Sequence, residues 1–298
     1  MDGVLVVDKP PGPTSHDVVA RVRHLTGISR VGHTGTLDPL ASGVLTLVLG
    51  RAARLAQFLS GAEKEYTTQI RLGLDTDTYD VTGQPREPRT GPSLDTLDRR
   101  QIEQVLQVFR GSYLQKPPPF SAKKIEGTRA YVLARRGVPV QPKSAPVLVS
   151  RLELVGFREN MLELSMTCSA GFYVRSLAHD IGERLGTGAC LQALRRTRTG
   201  DFRLEEAIPL DLLERDPAGA RARIVPMSQL LTGLPGVTLT SDGARRAARG
   251  NLVGPVHLMQ PLAAVCSRVR LLDQEGQLIA IAEPAGEPGF LHPGIVVM

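Results

Sequence analysis

Cysteine is scarce in this chain: Cys168, Cys190 and Cys266 stand far apart among 298 residues. Their spacing offers neither a disulfide framework nor a CxxC zinc site, and it fits a reducing compartment. The six histidines are equally scattered, with no HExxH and no pair at helical ligand spacing, so a metal centre built from His and Cys is not expected. No run of eighteen apolar residues occurs either. The opening Met1-Asp2-Gly3-Val4-Leu5-Val6-Val7-Asp8 carries an acid where a signal peptide needs basic charge. Secretion and membrane spanning are therefore not expected, and the cytoplasm is the expected location. Lysine is rare as well, only six of the 36 basic residues, the rest being arginine. The net charge of +6 and a pI near 9.5 favour a polyanionic partner. Arginine forks suit phosphate oxygens, but a GC-rich coding sequence gives the same ratio, and both readings stand.

Apolar residues are plentiful at 42 %, enough for one large domain and a small one. The most distinctive stretch is Gly32-His33-Thr34-Gly35-Thr36-Leu37-Asp38-Pro39-Leu40-Ala41-Ser42-Gly43, which runs into the apolar segment Val44 to Leu49. Glycines, a proline and short hydroxyl side chains describe a tight loop that presents one carboxylate against an apolar wall. Such a carboxylate is costly unless it is paired or used. The bland alternative is that Asp38 caps a turn, since Asp-Pro is a common turn initiator.

In chain order, Gly3 to Val7 reads as a buried strand ending in the stiff turn Asp8 to Pro13, with Lys9 either a solvated strand end or a phosphate contact. Thr14 to Asp17 has capping-box spacing, and Val18, Val19, Val22 and Leu25 form one helical face stopped by Gly27. A helix is expected over Ala52 to Ser60. The alternation of Tyr66, Thr68, Ile70 and Leu72 predicts a strand. Asp75 to Gly83 resembles a calcium loop only superficially, because Tyr79 takes a ligand position and the glycine and distal glutamate are misplaced. It reads as a polar loop near RNA, followed by a surface excursion over Gln84 to Ser93.

A helix ending at Gly111 leads to three prolines at 117–119, which preset an extended backbone before Ser121 and Lys123. A helix over Gly127 to Arg136, strands over Val147 to Phe157 and Met161 to Ser169, and a helix opened by Gly171 to Arg175 follow. In that last helix Arg175 is oddly placed, because the dipole disfavours a cation at an N-terminus. Either an anion compensates it, or it is an exposed arginine whose stem lies along the surface. Ala189 to Arg196 is predicted to be helical, with Arg195, Arg196 and Arg198 as a solvated charge run. From about Asp216 the pattern weakens into a linker, and a basic helix and β-like segments complete the chain.

Four ordered stretches resemble one family: VDKPPGPTSHDVV at Val7 to Val19, the Asp38 loop, the run from Pro117 to Gly137, and CSAGFYVRSLAHDIGERLG from Cys168 to Gly186. That family is the TruB family of bacterial tRNA pseudouridine-55 synthases, and the match covers most of residues 1 to about 228. The resemblance implies an α+β fold with a curved, largely antiparallel mixed sheet flanked by helices over residues 1–232. It also implies a small β-rich, RNA-binding PUA-like domain over 233–298. The implied activity isomerises one T-loop uridine of tRNA without metal or organic cofactor, and a monomer acting on the T-arm stem-loop is expected.

By the same resemblance Asp38 is the nucleophile or charge stabiliser and Arg175 its counter-ion, which would supply the anion missing at that helix start. Tyr66 is expected to stack on the extruded uracil and to be placed for proton transfer. His33 is the wedge that holds the flipped conformation. Leu194 and Tyr173 line the substrate pocket, and Lys9 is structural or RNA-facing. Departures from the family pattern are Ala170 where many relatives carry lysine, Phe120 where tyrosine is common, and Cys190 where some have histidine. Two other classes are open to test. One is a tRNA-binding or folding protein without catalysis. The other is an aspartate-based phosphatase, disfavoured because Leu40 stands where a second aspartate belongs.

Overall fold

The structure is a computed structural model and describes residues 2–87, 91, 93–121, 123–125, 127–140, 142–261 and 267–298. Part of the expected excursion at 84–93, Ala122 of the proline-rich run and Cys266 lie outside the described residues. Strand β1 (Gly3–Lys9) leads into helix α1 (Ser15–Thr26), the short strand β2 (Val31–His33) and β3 (Ser42–Leu49). Then come β4 (Lys64–Leu72), α2 (Arg99–Gln107), β5 (Gly111–Gln115), β6 (Ala145–Arg158) and β7 (Met161–Cys168). Helix α3 (Val174–Leu185), β8 (Ala189–Thr199) and the two-residue β9 (Ile208–Pro209) close the larger unit. The chain ends with β10 (Gly236–Thr238), α4 (Ser241–Ala248), β11 (Val269–Leu272), β12 (Leu278–Pro284) and β13 (Leu291–Val296).

The architecture is α+β. The large sheet runs in the order β9-β1-β3-β8-β4-β7-β6-β5, and the last four strands of the chain form a second sheet. Pairing in the large sheet is mostly antiparallel; β8 meets β3 in parallel through only two residue pairs, Arg195 with Ser42 and Arg196 with Gly43. That brief parallel contact joins the β1–β3 half of the sheet to the β4–β7 half.

The apolar patterning explains which faces are covered. β1 and β3 are nearly continuous apolar runs because both of their faces are buried. Leu5, Val7, Leu45 and Leu47 point into the main core beneath α1, α2 and α3, while Val4, Val6, Val44 and Val48 pack on the opposite face with Leu278, Ile281 and Val297 of the C-terminal sheet. β4 alternates instead, burying Tyr66, Thr68, Ile70 and Leu72 and exposing Thr67, Gln69 and Arg71. The expected capping box on α1 is present: Asp17 N donates to Thr14 Oγ1, Thr14 N donates to Asp17 Oδ2, and Gly27 ends the helix at φ 71°.

Four expectations are corrected. Residues 189–196 form strand β8, not a helix. Register shifts between Leu191 and Ala193 and between Arg196 and Arg198 add bulges, so buried Leu191 and Leu194 fall three apart and imitate helical spacing. Residues 52–60 form a 3₁₀ turn at Gly50–Leu55 running into a short helix, Ala56–Ser60. The helix expected from Gly127 is only Ala130–Arg135, preceded by a small hairpin. The expected linker after Asp216 is packed: Asp216 caps the turn Pro217–Ala222, and Val225 and Pro226 pair with Val4 and Gly3 of β1.

Candidate active site

Asp38 lies in the loop between β2 and β3. The loop is held from both sides of Leu37, whose N–H donates to Ser15 Oγ at 2.8 Å while that hydroxyl donates back to Leu37 O at 3.0 Å. Gly12 N donates to Pro39 O at 2.8 Å, and Ala41 N donates to Asp38 O at 3.0 Å. Leu37 and Ala41 sink into the core, and the carboxylate between them stays 36 % exposed. The sequence thus anchors a loop by its apolar residues and turns its acid outward.

Arg175 meets that acid. It is the second residue of α3, and its side chain is 7 % exposed. Nε donates to Asp38 Oδ2 at 2.8 Å and Nη2 to Asp38 Oδ1 at 3.2 Å, a two-pronged fork. The remaining donors are also placed: Nη1 on Thr78 O at 3.1 Å and Nη2 on Phe120 O at 3.0 Å. The exposed-arginine alternative is therefore wrong, because burial of the guanidinium is offset by an anion and two carbonyls. The same anion answers the unfavourable helix dipole.

A second carboxylate, Asp80, was absent from the residues singled out in the sequence. Its Oδ2 lies 3.8 Å from Arg175 Nε, and its Oδ1 accepts from Thr78 Oγ1 and from Thr82 N, each at 3.0 Å. The loop that carries it is clipped to β8 by Val81 N to Leu191 O and Leu191 N to Tyr79 O. The signal in the sequence is the alternation of Asp and Thr over residues 75–82, which reads as a polar loop near RNA without marking Asp80. Within the same loop Tyr79 adopts a left-handed φ of 65° and stacks on His179 at 3.8 Å between ring centroids.

Asp75, His179 and Glu183 bring one donor atom each to within 4.8 Å of one another. Asp75 Oδ1 faces His179 Nδ1 at 3.3 Å, whereas Glu183 Oε1 faces Nε2 at 3.6 Å. The carboxylates thus address opposite ring nitrogens, Asp75 within hydrogen-bond distance and Glu183 just beyond it, and Arg86 adds a cation 3.5 Å from Asp75.

Tyr66 is buried on β4, directly across from Arg196 on β8 and Met166 on β7, and burial pushes its phenol upward in pKa. Tyr173 caps α3, its backbone held at both ends by the Gln115 amide. Tyr66, Tyr173 and Lys9 all lie within electrostatic reach of Asp38. Leu194 is buried in the same core as Leu37, Ala41 and Tyr66. His33 ends β2, with Nδ1 buried and without a hydrogen-bond partner among the described residues; burial pushes its pKa down, so the ring is neutral at pH 7.

Of the two readings of Lys9, structural or RNA-facing, its placement fits the structural one. Its side chain is fully buried, and Nζ donates to Pro10 O at 2.8 Å and Pro13 O at 2.9 Å, which stitches the proline turn shut and leaves no ammonium facing outward. The solvated charge run is corrected. Arg195 pairs with Asp8 at 2.7 Å, Arg198 with Glu65 at 2.9 Å, and Arg196 is buried.

The chain is similar to known proteins. Residues 23–174 match the model of the TruB family pseudouridylate synthase N-terminal domain, and residues 175–232 match the tRNA pseudouridylate synthase B C-terminal domain. The chain is 42 % identical over 300 residues to the tRNA pseudouridine synthase B of Solibacter usitatus, covering 100 % of both chains. It is 38 % identical to that of Geobacillus thermodenitrificans, with 98 % of each covered. Among solved structures it resembles a chain in the crystal structure of a Cbf5-Nop10-Gar1 complex at TM-score 0.74 and 27 % identity, over 99 % of this chain and 85 % of that one. It also resembles a chain of an H/ACA RNP bound to a substrate RNA containing 2′-deoxyuridine, at TM-score 0.72 and 26 % identity. Asp38 and Asp80 fall within the first family match and Arg175 opens the second, so this charged cluster is built across both, and the chain belongs to the TruB family of pseudouridylate synthases.

Proposed function

We propose that this protein converts one uridine in the T-loop of tRNA, at position 55, to pseudouridine, with Asp38 as the reacting carboxylate. The observation that carries the reading is the geometry of the Asp38–Arg175 pair: a guanidinium buried behind the acid holds both oxygens, and the acid keeps an open side toward solvent. Desolvation by a bound base would drive a lone carboxylate toward its neutral form; the fixed fork opposes that. The names of the relatives, tRNA pseudouridine synthase B, supply the substrate class.

The reaction is an isomerisation and balances without a co-reactant. The N1–C1′ bond breaks, the uracil turns, C5 bonds to C1′, the proton on C5 is lost and N1 is protonated. Asp38 serves by attacking sugar or base, or by supporting ribose deprotonation. Tyr66, beneath it, offers a ring face to the base and a hydroxyl for proton transfer. His33, neutral and with a free ring nitrogen, wedges into the T-loop so that the nucleotide can leave its stack. Tyr173 and Leu194 wall the pocket, and Lys9 shapes the turn below it.

In this reading residues 1–232 form the catalytic domain and 233–298 a PUA-like RNA-binding domain. The enzyme acts as a cytoplasmic monomer without metal or cofactor. No helix among the described residues is long and apolar enough to cross a membrane. The test is Asp38→Asn with tRNA labelled by tritium at uridine C5. The variant binds tRNA as the wild type does but releases no tritium and leaves no pseudouridine by chemical mapping. Retained turnover removes Asp38 from the chemistry, and a wild type that binds tRNA yet releases no tritium leaves the non-catalytic binding protein.

A further inference from the structure

We infer that Arg196 is a positioning residue for the reaction, a buried brace that sets the Asp38 loop in a fixed relation to the strand that carries Tyr66. The inference rests on the uridine-isomerase reading above and deepens it. Arg196 is 1 % exposed, among the largest fully buried side chains in the protein, and among the described residues no carboxylate lies within 4 Å of its guanidinium. Its donors go to backbone carbonyls of the catalytic loop and of the strand that follows it: Nη2 to Gly35 O at 3.0 Å, Nη1 to Thr36 O at 3.4 Å and Nε to Val44 O at 2.7 Å. Two of these acceptors precede Asp38 and one follows it, so a single planar group ties together the two limbs from which the carboxylate is suspended.

The backbone of the same residue closes the loop further. Arg196 pairs in parallel with Gly43, and a Cβ at Gly43 would stand 2.1 Å from Arg196 O, with φ of +100° there. On its other side Arg196 is the antiparallel partner of Tyr66. Its positive charge lies near enough to Tyr66 to oppose the effect of burial on that phenol.

Filling this volume with hydrocarbon would avoid the cost of burying a cation that no anion compensates. What hydrocarbon could not do is span three carbonyls at fixed angles. Lysine would keep the charge, but its point-like ammonium cannot fork across both limbs.

The experiment compares wild type with Arg196→Met, Arg196→Lys, Tyr66→Phe and the Arg196→Lys/Tyr66→Phe double variant, reading single-turnover rate and tRNA dissociation constant separately. Arg196→Met lowers the rate by about a hundredfold, the scale of a misplacement near 1 Å, with tRNA affinity within about threefold. Arg196→Lys recovers about tenfold of that loss, and in the Tyr66→Phe background its residual cost falls below about threefold. A wild-type rate in Arg196→Met overturns the proposal. So does a rate loss accompanied by an equal loss of tRNA binding, or strict additivity with Tyr66→Phe. If Arg196→Met does not fold, the Lys and Phe cycle decides alone. A wild type that forms no pseudouridine sinks the functional reading instead, whatever the variants do.

Discussion

Arg175 and Arg196 both have buried side chains that donate to the Asp38 loop, and their surroundings differ in kind. Arg175 is forked onto a carboxylate that remains open on its outer side, with a second carboxylate 3.8 Å away. Arg196 donates to carbonyls on every side, as do the buried amines of Lys9 and Lys64, which close onto Pro10 and Pro13 and onto Ser60 and Ala62. A cation facing an accessible anion sustains charge where chemistry needs it. Cations satisfied by carbonyls fix the path of the chain. On the proposed function, the distinction separates the reacting region of the molecule from its frame.

The strongest way to break that contrast is Arg175→Ala. If the fork sustains the reacting acid, single-turnover formation of pseudouridine drops by about a thousandfold while far-UV circular dichroism is unchanged. A loss of fold at equal rate per folded molecule would place Arg175 in the frame instead. Asp80→Asn tests the outer ring of the reacting region. Removing its charge leaves Arg175 bound to Asp38 but less constrained, and the rate falls by about tenfold, the equivalent of one charge-assisted hydrogen bond. An unchanged rate would confine the charged site to Asp38 and Arg175.

The smallest effect belongs to the frame. Burial pushes Lys9 down to about 8, whereas in the unfolded chain it holds its proton to about 10.4. The folded state therefore binds fewer protons across that window, and this residue's contribution to stability rises with pH between the two values. Lys9→Met lacks the rise. Urea denaturation at about pH 7.5 and 9.5 is expected to show the gap between wild type and variant widening in favour of the wild type. A constant gap would mean that Lys9 keeps its proton when folded.

The readable parts of the sequence were those whose signal is local. The Thr14 and Asp17 capping box, the continuous apolar runs of β1 and β3 and the alternation of β4 each appear in the structure, because capping and side-chain direction are set within a few residues. The Asp38 loop and its pairing with Arg175 came from family resemblance together with a charge out of place at a helix start. β8 was misread because its bulges shift the register and give buried residues a spacing of three. Asp80 was passed over because its meaning lies in Arg175, 95 positions further along the chain.

By itself the sequence determined the elements, an acid on a tight loop, the basic balance of charge and the family. Only the tertiary structure decided which cations face an anion and which face carbonyls. Arg195, Arg196 and Arg198 are neighbours in sequence and look alike there, yet one is paired with Asp8, one is enclosed by carbonyls and one is tied to Glu65. The reason is physical: a side chain's role follows from what it touches once β8 is laid between β3 and β4, and those partners lie more than a hundred residues away along the chain.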